Sequence, residues 1–443
     1  MRLTNVAQMD LVSGRLFSYA VEVTPEQGRE LPISYDQRRH VGEGQRPGSW
    51  MALALRLVEP ASADELAAAW DAVVERHGTL RTVFSEDETA GGGLRLHEVQ
   101  VCPGEWTEHE VAADQHTRDV LREVFDEGCA PFARPSHRLV RIEPHPDEPD
   151  QRLELVIGSD HSHVDMWSLV ILLRDLLFCL DDLRAGRTPG TALQPARSFA
   201  EHTAQLERMP PAPPEIAPRW AAILKAGGGT MPAFPLPLGA SRPVPGEVVE
   251  VRDVLDAAET ARLAAIAESH GVRMIGLGLS VLAAVTEQCA AQPLRAVFPV
   301  HSRHEEGWRD ACGWFITNAV IEVADSDPRA CMAAVGEATS LGSWPLAPIL
   351  APYGPMPPAP GLFAISWLDT RRLPVPEDRA TQLRYVSAKI RTDGVMIWFL
   401  VNASGLHLRC RYPDTPEARA NVGQWLDLVQ HGIRALTAEG VTT

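Results

Sequence analysis

Strand and helix signals alternate along most of the chain, in two halves that a segment rich in proline and glycine separates. Residues 188–248 hold this segment, with the runs PPAPPEIAP and GGGTMPAFPLPLGASRPVPG, a composition typical of a linker or an ordered crossing segment. The 443 residues are enough for two domains of ordinary size. We therefore predict an α/β protein with an N-terminal lobe over residues 1–187, a crossing linker over 188–248 and a C-terminal lobe over 249–443.

The first half begins with a strand-helix-strand pattern. The run SWMALALRLVE (residues 49–59) predicts a strand, and TLRTVF (79–84) predicts another. Between them, SADELAAAWDAVVERHG (62–78) predicts a helix, because Ser62 and Glu65 have the spacing of a capping box. Its apolar residues share one face, so we expect the helix to pack on a sheet.

The second half repeats the alternation. Helices are predicted over residues 256–271 and 273–290, and a strand over 294–300. Later strands are followed by a last helix over 418–436. Both halves are therefore expected to be sheets covered by helices.

Charge and cysteine usage exclude several classes of function. The net charge of −17 repels phosphate backbones and anionic lipids, which disfavours a nucleic-acid or membrane-surface role. Seven scattered cysteines without a CxxC pair argue against a disulfide framework and a zinc ribbon. The first residues lack the pattern of a secretory signal, and no apolar run reaches the roughly 20 residues of a membrane span. We expect a cytoplasmic protein.

The stretch GSDHSHVDMWS (residues 158–168) carries the densest group of chemically useful side chains. Two histidines and two aspartates fall between Asp160 and Asp165, just after a predicted strand and just before an apolar helix. Three hypotheses fit this pattern: a metal site, one catalytic histidine with a structural aspartate, or a satisfied polar turn.

A metal site would use His161 and His163 as an H-x-H pair with Asp160 or Asp165, because alternate side chains of a strand share a face. The sequence offers no third or fourth ligand with a recognisable spacing. We therefore predict that no metal is bound, and that His163 is a supporting histidine.

Four segments, in order over roughly 290 residues, carry a resemblance. They are LPISYDQRRHV (31–41), RHGTLRTVF (76–84), DHSHVDM (160–166) and GWFITN (313–318). They resemble the S-x-A-Q-x-R, R-H-x-x-L-R-T-x-F, H-H-x-x-x-D-G and G-x-F-V-N-T segments of the condensation-domain superfamily of nonribosomal peptide synthesis. That superfamily has the chloramphenicol-acetyltransferase-like fold and includes free-standing acyltransferases of polyketide pathways.

The resemblance implies two such lobes in a V shape with a central tunnel and His161 near its middle. Three departures from the motifs lie close to that place. Asp160 replaces the first histidine, Met166 replaces a glycine, and the threonine and asparagine of FITN stand in swapped order.

Residue by residue, the resemblance implies His161 as the catalytic base, since a neutral imidazole can accept a proton from an attacking hydroxyl or amine. Asp165 is implied to be structural and to pair with an arginine, for which Arg303 is our candidate. The expected tunnel residues are Asp160, His163, Met166, Trp314, Thr317 and Asn318.

The implied function is that of a free-standing condensation enzyme in natural-product biosynthesis. An acyl or aminoacyl group would pass from a carrier-protein or coenzyme A thioester to a hydroxyl or amine acceptor, giving an ester or an amide. No cofactor is expected on the protein, because the donor carries the phosphopantetheine arm. The carrier would dock in trans, with Arg38 and Arg39 as contacts, although the same arginines fit a solvated turn.

Two alternatives remain from the sequence. One is a catalytically inactive, condensation-like platform that binds a carrier protein or an assembly line. The other is a metal-dependent hydrolase.

Overall fold

The structure is a computed structural model that describes residues 2–86, 93–112, 114–239, 242–354, 357, 359–376 and 378–439. The strands within these ranges are β1 (Arg2–Asn5), β2 (Gly14–Leu31), β3 (Trp50–Leu57), β4 (Thr82–Glu86), β5 (Leu94–His109), β6 (His137–Pro144), β7 (Glu154–Asp160), β8 (Glu247–Asp256), β9 (Leu294–His301), β10 (Ile316–Val323), β11 (Phe363–Asp369), β12 (Ala380–Ser387), β13 (Val395–Asn402) and β14 (Gly405–Pro413).

The α-helices of the described residues are α1 (Tyr35–Val41), α2 (Ala63–Arg76), α3 (Thr117–Gly128), α4 (Met166–Arg184), α5 (Phe199–Glu207), α6 (Ile216–Ala226), α7 (Ala257–Ser269), α8 (Met274–Ala290), α9 (Pro328–Gly342), α10 (Leu346–Leu350) and α11 (Pro416–Glu439). Among them, no single helix is long and apolar enough to span a membrane, although α7 and α8, bent by 92°, would together meet the required length and composition.

The chain divides into two compact units. Unit 1 comprises residues 1–208, 303–315 and 373–389, and unit 2 comprises 209–302, 316–372 and 390–443. Each unit is built on one sheet, so the fold is α/β with two mixed sheets, as predicted.

Unit 1 contains an eight-stranded sheet in the order β1-β12-β3-β7-β6-β2-β5-β4. Strand β7 lies in its interior, antiparallel to both β3 and β6, and all of its residues are buried. Helix α2 begins with the predicted capping box of Ser62 and Glu65 and packs on α4 through the buried face that includes Trp70. The sheet therefore holds the end of β7 in a fixed place.

Unit 2 contains a six-stranded sheet in the order β10-β9-β11-β13-β14-β8. Helix α8 packs against both α9 and α11, and all three helices pack against this sheet. Fully buried Trp425 of α11 meets Phe363 of β11 edge-on, with ring centroids 5.9 Å apart. The apolar face of the last helix thus closes the core of this unit.

The units differ from the predicted lobes in two respects: segments 303–315 and 373–389 of the second half pack within unit 1, and the predicted linker over 188–248 is divided between the units at residue 208. The second segment carries β12, which pairs with β1 and β3 and completes the first sheet. Helices α5 and α6 lie inside the predicted linker, where the sequence pieces SFAEHTAQLE and RWAAILKA also predict short helices. The V shape and the tunnel stay predictions.

The predicted strand over 79–84 begins later than expected. Residues 78–81 form a 3-10 turn, in which the amide of Leu80 donates to the carbonyl of His77, and the strand starts at Thr82. A tight turn of this kind is a common connector between a helix and a strand.

Candidate active site

The motif turn, residues 161–165, connects the buried end of β7 to the start of α4. The amide of His161 donates to the carbonyl of Ser49 (3.0 Å), and the side-chain amide of Gln37 in α1 donates to the carbonyl of Ser162 (2.9 Å). Two neighbouring segments therefore hold the backbone of this turn.

His161 is partly buried, and one of its ring nitrogens has a fixed partner. Nδ1 lies 2.9 Å from the carbonyl oxygen of Val164, which can only accept, so Nδ1 carries the proton. In the neutral imidazole, Nε2 then keeps its lone pair. Burial lowers the pKa of His161 from its usual 6.5, and a positive charge on His40 would lower it further, so the neutral form is favoured near neutral pH.

Trp314 lies on the face of His161. The two ring centroids are 4.0 Å apart and the planes differ by 18°, a stacked geometry. The indole therefore fixes the plane of the imidazole, while the Val164 carbonyl fixes its rotation.

Asp165 caps the N-terminus of α4. Its carboxylate accepts from the amide of Ser168 (2.7 Å), from the hydroxyl of Ser168 (2.7 Å) and from the amide of Phe315 (3.1 Å). The aspartate thereby ties the start of the helix to the segment that carries Trp314.

Arg303 is the predicted partner of Asp165, and the two side chains are in contact. Its Nη2 donates to both carboxylate oxygens (3.0 and 3.2 Å), and its Nη1 donates to the carbonyls of Trp308 (2.7 Å) and Ala311 (2.6 Å). The guanidinium also lies 3.9 Å from the ring centroid of Phe315. This buried arginine therefore shapes the whole 303–315 segment.

Asp160 is fully buried at the end of β7. Its carboxylate accepts from the amide of Ser162 (2.8 Å), from the hydroxyl of Ser162 and from Nε2 of His40 (3.3 Å). Burial alone would raise the pKa of Asp160, but the bonds from His40 and Ser162 outweigh it and hold the pKa at about 2. The site therefore contains a buried anion.

His163 is buried, and both of its ring nitrogens have partners. Nε2 faces the carbonyl of Thr82 (3.3 Å), and Nδ1 faces the hydroxyls of Ser136 (3.0 Å) and Ser162 (2.9 Å). Phe84 meets the ring edge-on. These contacts suit the supporting role predicted for this histidine.

The other predicted tunnel residues lie in different places. Met166 is the first residue of α4, is partly exposed, and accepts a hydrogen bond at its carbonyl from the hydroxyl of Tyr385 (2.8 Å). Thr317 and Asn318 are on β10 in unit 2, paired with Val300 and Pro299. Their roles in a tunnel stay predictions.

Sequence reasoning did not single out His40, which lies on α1 and meets Trp314 edge-on with ring centroids 5.2 Å apart. The sequence feature that points to His40 is its place in the segment LPISYDQRRHV, where this histidine follows two arginines. Nothing local in that segment indicates that His40 reaches Asp160, 120 residues away.

The described residues contain no group of three or more histidine, cysteine, aspartate or glutamate side chains placed to hold a metal ion. The two histidines of the H-x-H pair have other hydrogen-bond partners. The ring nitrogens of His163 face Ser136, Ser162 and Thr82, whereas Nδ1 of His161 is bonded to the carbonyl of Val164.

Comparison with known proteins gives related sequences of two kinds. The probable non-canonical nonribosomal peptide synthetase CymA of Salinispora arenicola is 30% identical over 312 residues, which are 67% of this chain and 4% of CymA. Acyltransferase PapA3 of Mycobacterium tuberculosis is 22% identical over 437 residues, which are 93% of this chain and 90% of PapA3. The chain thus spans a small part of the synthetase and most of the acyltransferase.

Solved structures show the same fold. The PapA2 acyl transferase superposes with a TM-score of 0.84 at 19% identity, covering 99% of this chain and all of that one. The first condensation domain of the calcium-dependent antibiotic synthetase gives a TM-score of 0.70 at 14% identity, covering 93% and 97%.

The family model of the condensation domain matches residues 40–335, which are more than half of the chain and include the whole motif turn. The chain therefore belongs to the condensation-domain family.

Proposed function

We propose that the protein transfers an acyl or aminoacyl group from a thioester to a hydroxyl or amine acceptor, with His161 as the general base. The observation that supports this most is the bond between Nδ1 of His161 and the Val164 carbonyl. It leaves the lone pair of Nε2 available, and the lowered pKa of His161 favours the neutral form that a base must have.

The chemistry needs one proton carrier. Nε2 of His161 accepts the proton of the hydroxyl or amine as that group attacks the thioester carbonyl. The bond between the carbonyl carbon and sulfur then breaks, and the proton returns to the leaving thiolate, giving an ester or an amide and a free thiol. Asp165 and Arg303 support this step by holding the segment that carries Trp314.

The donor in this proposal carries its thiol on a phosphopantetheine arm, either on a carrier protein that docks in trans or on coenzyme A. The protein itself then holds no cofactor. Relatives of both kinds support a place in natural-product biosynthesis, since one is named a nonribosomal peptide synthetase and another an acyltransferase. Exposed Arg38 of α1, beside Arg39, is a candidate contact for an acidic carrier.

The test is release of free thiol from acyl-carrier protein, acyl-coenzyme A and acyl-N-acetylcysteamine, with a panel of alcohols and amines as acceptors. We expect acceptor-dependent thiol release and ester or amide formation with one donor class. His161→Ala should reduce this to background. His145→Ala is the matched control, because that imidazole is 62% exposed and follows the end of β6 that lies beside the start of β7, away from the motif turn.

A platform without catalysis would give a different pattern. A carrier protein would bind, but neither the wild type nor His161→Ala would form product. A metal-dependent hydrolase would release thiol without an acceptor, lose activity with a chelator and regain it with zinc. Either result would overturn the proposal.

A further inference from the structure

His40 links the two features that surround the proposed base. Its Nε2 lies 3.3 Å from a carboxylate oxygen of Asp160, and its ring meets the edge of Trp314 with centroids 5.2 Å apart and planes at 71°. Trp314 in turn stacks on His161. The centroids of the two imidazoles are 6.1 Å apart, so a charge on one acts on the other at short range.

The hydrogen-bond partners of His40 determine which of its ring nitrogens carries the proton. Nη2 of Arg46 lies 2.9 Å from Nδ1, and a guanidinium can only donate, so Nδ1 holds the lone pair. Nε2 then carries the proton and donates it to Asp160. Arg46 is itself held by the carbonyls of His40 (2.8 Å) and Gly44 (3.1 Å), so the tautomer of His40 is fixed by its surroundings.

Charged and titratable groups face His40 from each neighbouring segment. Arg46 faces it from the loop after α1, where it also pairs with Glu43 at 3.3 Å. Asp160 faces it from the end of β7 and His161 from the motif turn, and the charge on His40 also acts on His163. A second proton on His40 would point at Arg46 and would place a cation beside His161.

We propose that His40 is a positioning residue for His161, which it keeps neutral and oriented through its bond to Asp160 and its contact with Trp314. The inference rests on His161 acting as the base. Because His40 does not touch the reacting atoms in this account, it acts only through other groups. In this account, Asp160 is the buried anion that holds His40 at the end of β7.

The two side chains act on His161 with opposite sign. Burial is the largest influence that lowers the pKa of His161, a positive charge on His40 would lower it further, and the charge on Asp160 raises it. Replacing His40 by an uncharged side chain removes the repulsion that a protonated His40 exerts on His161, which raises the pKa of His161. Removing the anion at position 160 must lower it.

The experiment is an NMR titration of the His161 ring, assigned from the spectrum of His161→Gln, in the wild type, His40→Gln and Asp160→Asn. Glutamine offers one donor and one acceptor but does not titrate. We expect the midpoint of His161 to move up in His40→Gln and to move down in Asp160→Asn. In turnover assays, the acid limb of the kcat/KM profile should move in the same directions.

A merely structural role would lower kcat in both variants and leave the midpoint of His161 in place, which would overturn the inference. If Asp160→Asn does not fold, His40→Gln decides alone. The NMR readout does not depend on turnover, so it stands apart from the proposed function. Full activity in His161→Ala would overturn that function, whereas an unmoved midpoint beside an inactive His161→Ala would overturn only the role of His40.

Discussion

The indole of Trp314 lies flat on the imidazole of His161, with ring centroids 4.0 Å apart and planes within 18° of parallel. One residue comes from the motif turn and the other from a segment 150 residues later. Asp165 joins the two, because it caps the helix after the turn and accepts from the amide of Phe315. The orientation of the proposed base thus depends on a contact that no local sequence pattern encodes.

Replacing Trp314 should therefore lower the rate in addition to the stability, since this indole is buried. Trp314→Ala removes the stacked face, and we expect kcat to fall about three- to tenfold, the value of a well-placed aromatic pair. Trp314→Phe keeps a ring against His161 and should retain most of the activity. The measurement is kcat with the donor and acceptor found for the wild type. Equal kcat in Trp314→Ala and the wild type would show that the stack does not position the base.

The sequence predicts a structural feature well where that feature depends on residues close together in the chain, and poorly where it depends on distant contacts. Helix α2 and its cap follow from Ser62, Glu65 and the spacing of the apolar residues. The place of β12 in the first sheet does not, because pairing between β12 and β1 is set by tertiary packing and not by the pattern within either strand. Its segment therefore could not be assigned to unit 1 from the sequence.

The same distinction separates the predictable residues of the candidate site from the unpredictable ones. His161, Asp165 and Arg303 could be named from the motif resemblance, and the last two are in contact. The bond from His40 to Asp160 could not be predicted, since it joins a short helix to a strand end 120 residues away. The sequence marks Asp160 as a departure from the family's motif, as a candidate metal ligand and as an expected tunnel residue, but not as the partner of His40. The hydrogen bond from His40 explains how a buried carboxylate is stabilised at position 160.

The ion pair between Arg303 and Asp165 should be costly to break. Both side chains are almost completely buried, and removing one partner of such a pair leaves an uncompensated charge, which costs about 3–5 kcal/mol. We expect Arg303→Met to lower the free energy of unfolding by about 3 kcal/mol in urea titrations. The control is Arg15→Met, whose partner Glu108 is 50% exposed and whose loss should cost less than about 1 kcal/mol. Similar losses in both variants would contradict this prediction.

Gly158 lies near the end of the buried strand β7, and its lack of a side chain leaves room for an aromatic ring. A Cβ atom there would lie 2.6 Å from Cζ of Phe125, closer than side chains approach, and the ring belongs to a packed core. We expect Gly158→Ala to lower the free energy of unfolding by about 1–3 kcal/mol, the usual cost of overpacking.

Gly423→Ala is the matched control for this substitution. Gly423 lies within α11, and a Cβ atom there would meet nothing within 4 Å. Alanine in a helix interior is favoured over glycine by about 0.5–1 kcal/mol, so this variant should be slightly more stable than the wild type. Thermal unfolding of the two alanine variants should therefore shift in opposite directions. A stabilised Gly158→Ala would show that Phe125 moves aside at no cost.

His137 should make stability depend on pH. It is buried, its Nε2 lies 3.1 Å from the carbonyl of Leu80, and burial together with the charges of Arg138 and His163 lowers its pKa from 6.5 to about 3. Between these two values only the unfolded chain binds the extra proton. The stability that His137 contributes is therefore fully present above about pH 6.5 and is lost as the pH falls, by about 1.4 kcal/mol per pH unit.

His137→Gln can keep the donor to Leu80 but cannot bind the proton. The free energy of unfolding, measured in urea between pH 7 and about pH 4.5, should therefore fall less steeply in His137→Gln than in the wild type, by about 1.4 kcal/mol per pH unit over the acidic part of that range. Leu139→Ala, on the same buried strand, should lower stability about equally at every pH, because no titrating group is removed. Parallel curves for the wild type and His137→Gln would mean that the folded protein accepts the proton at this position as readily as the unfolded chain does.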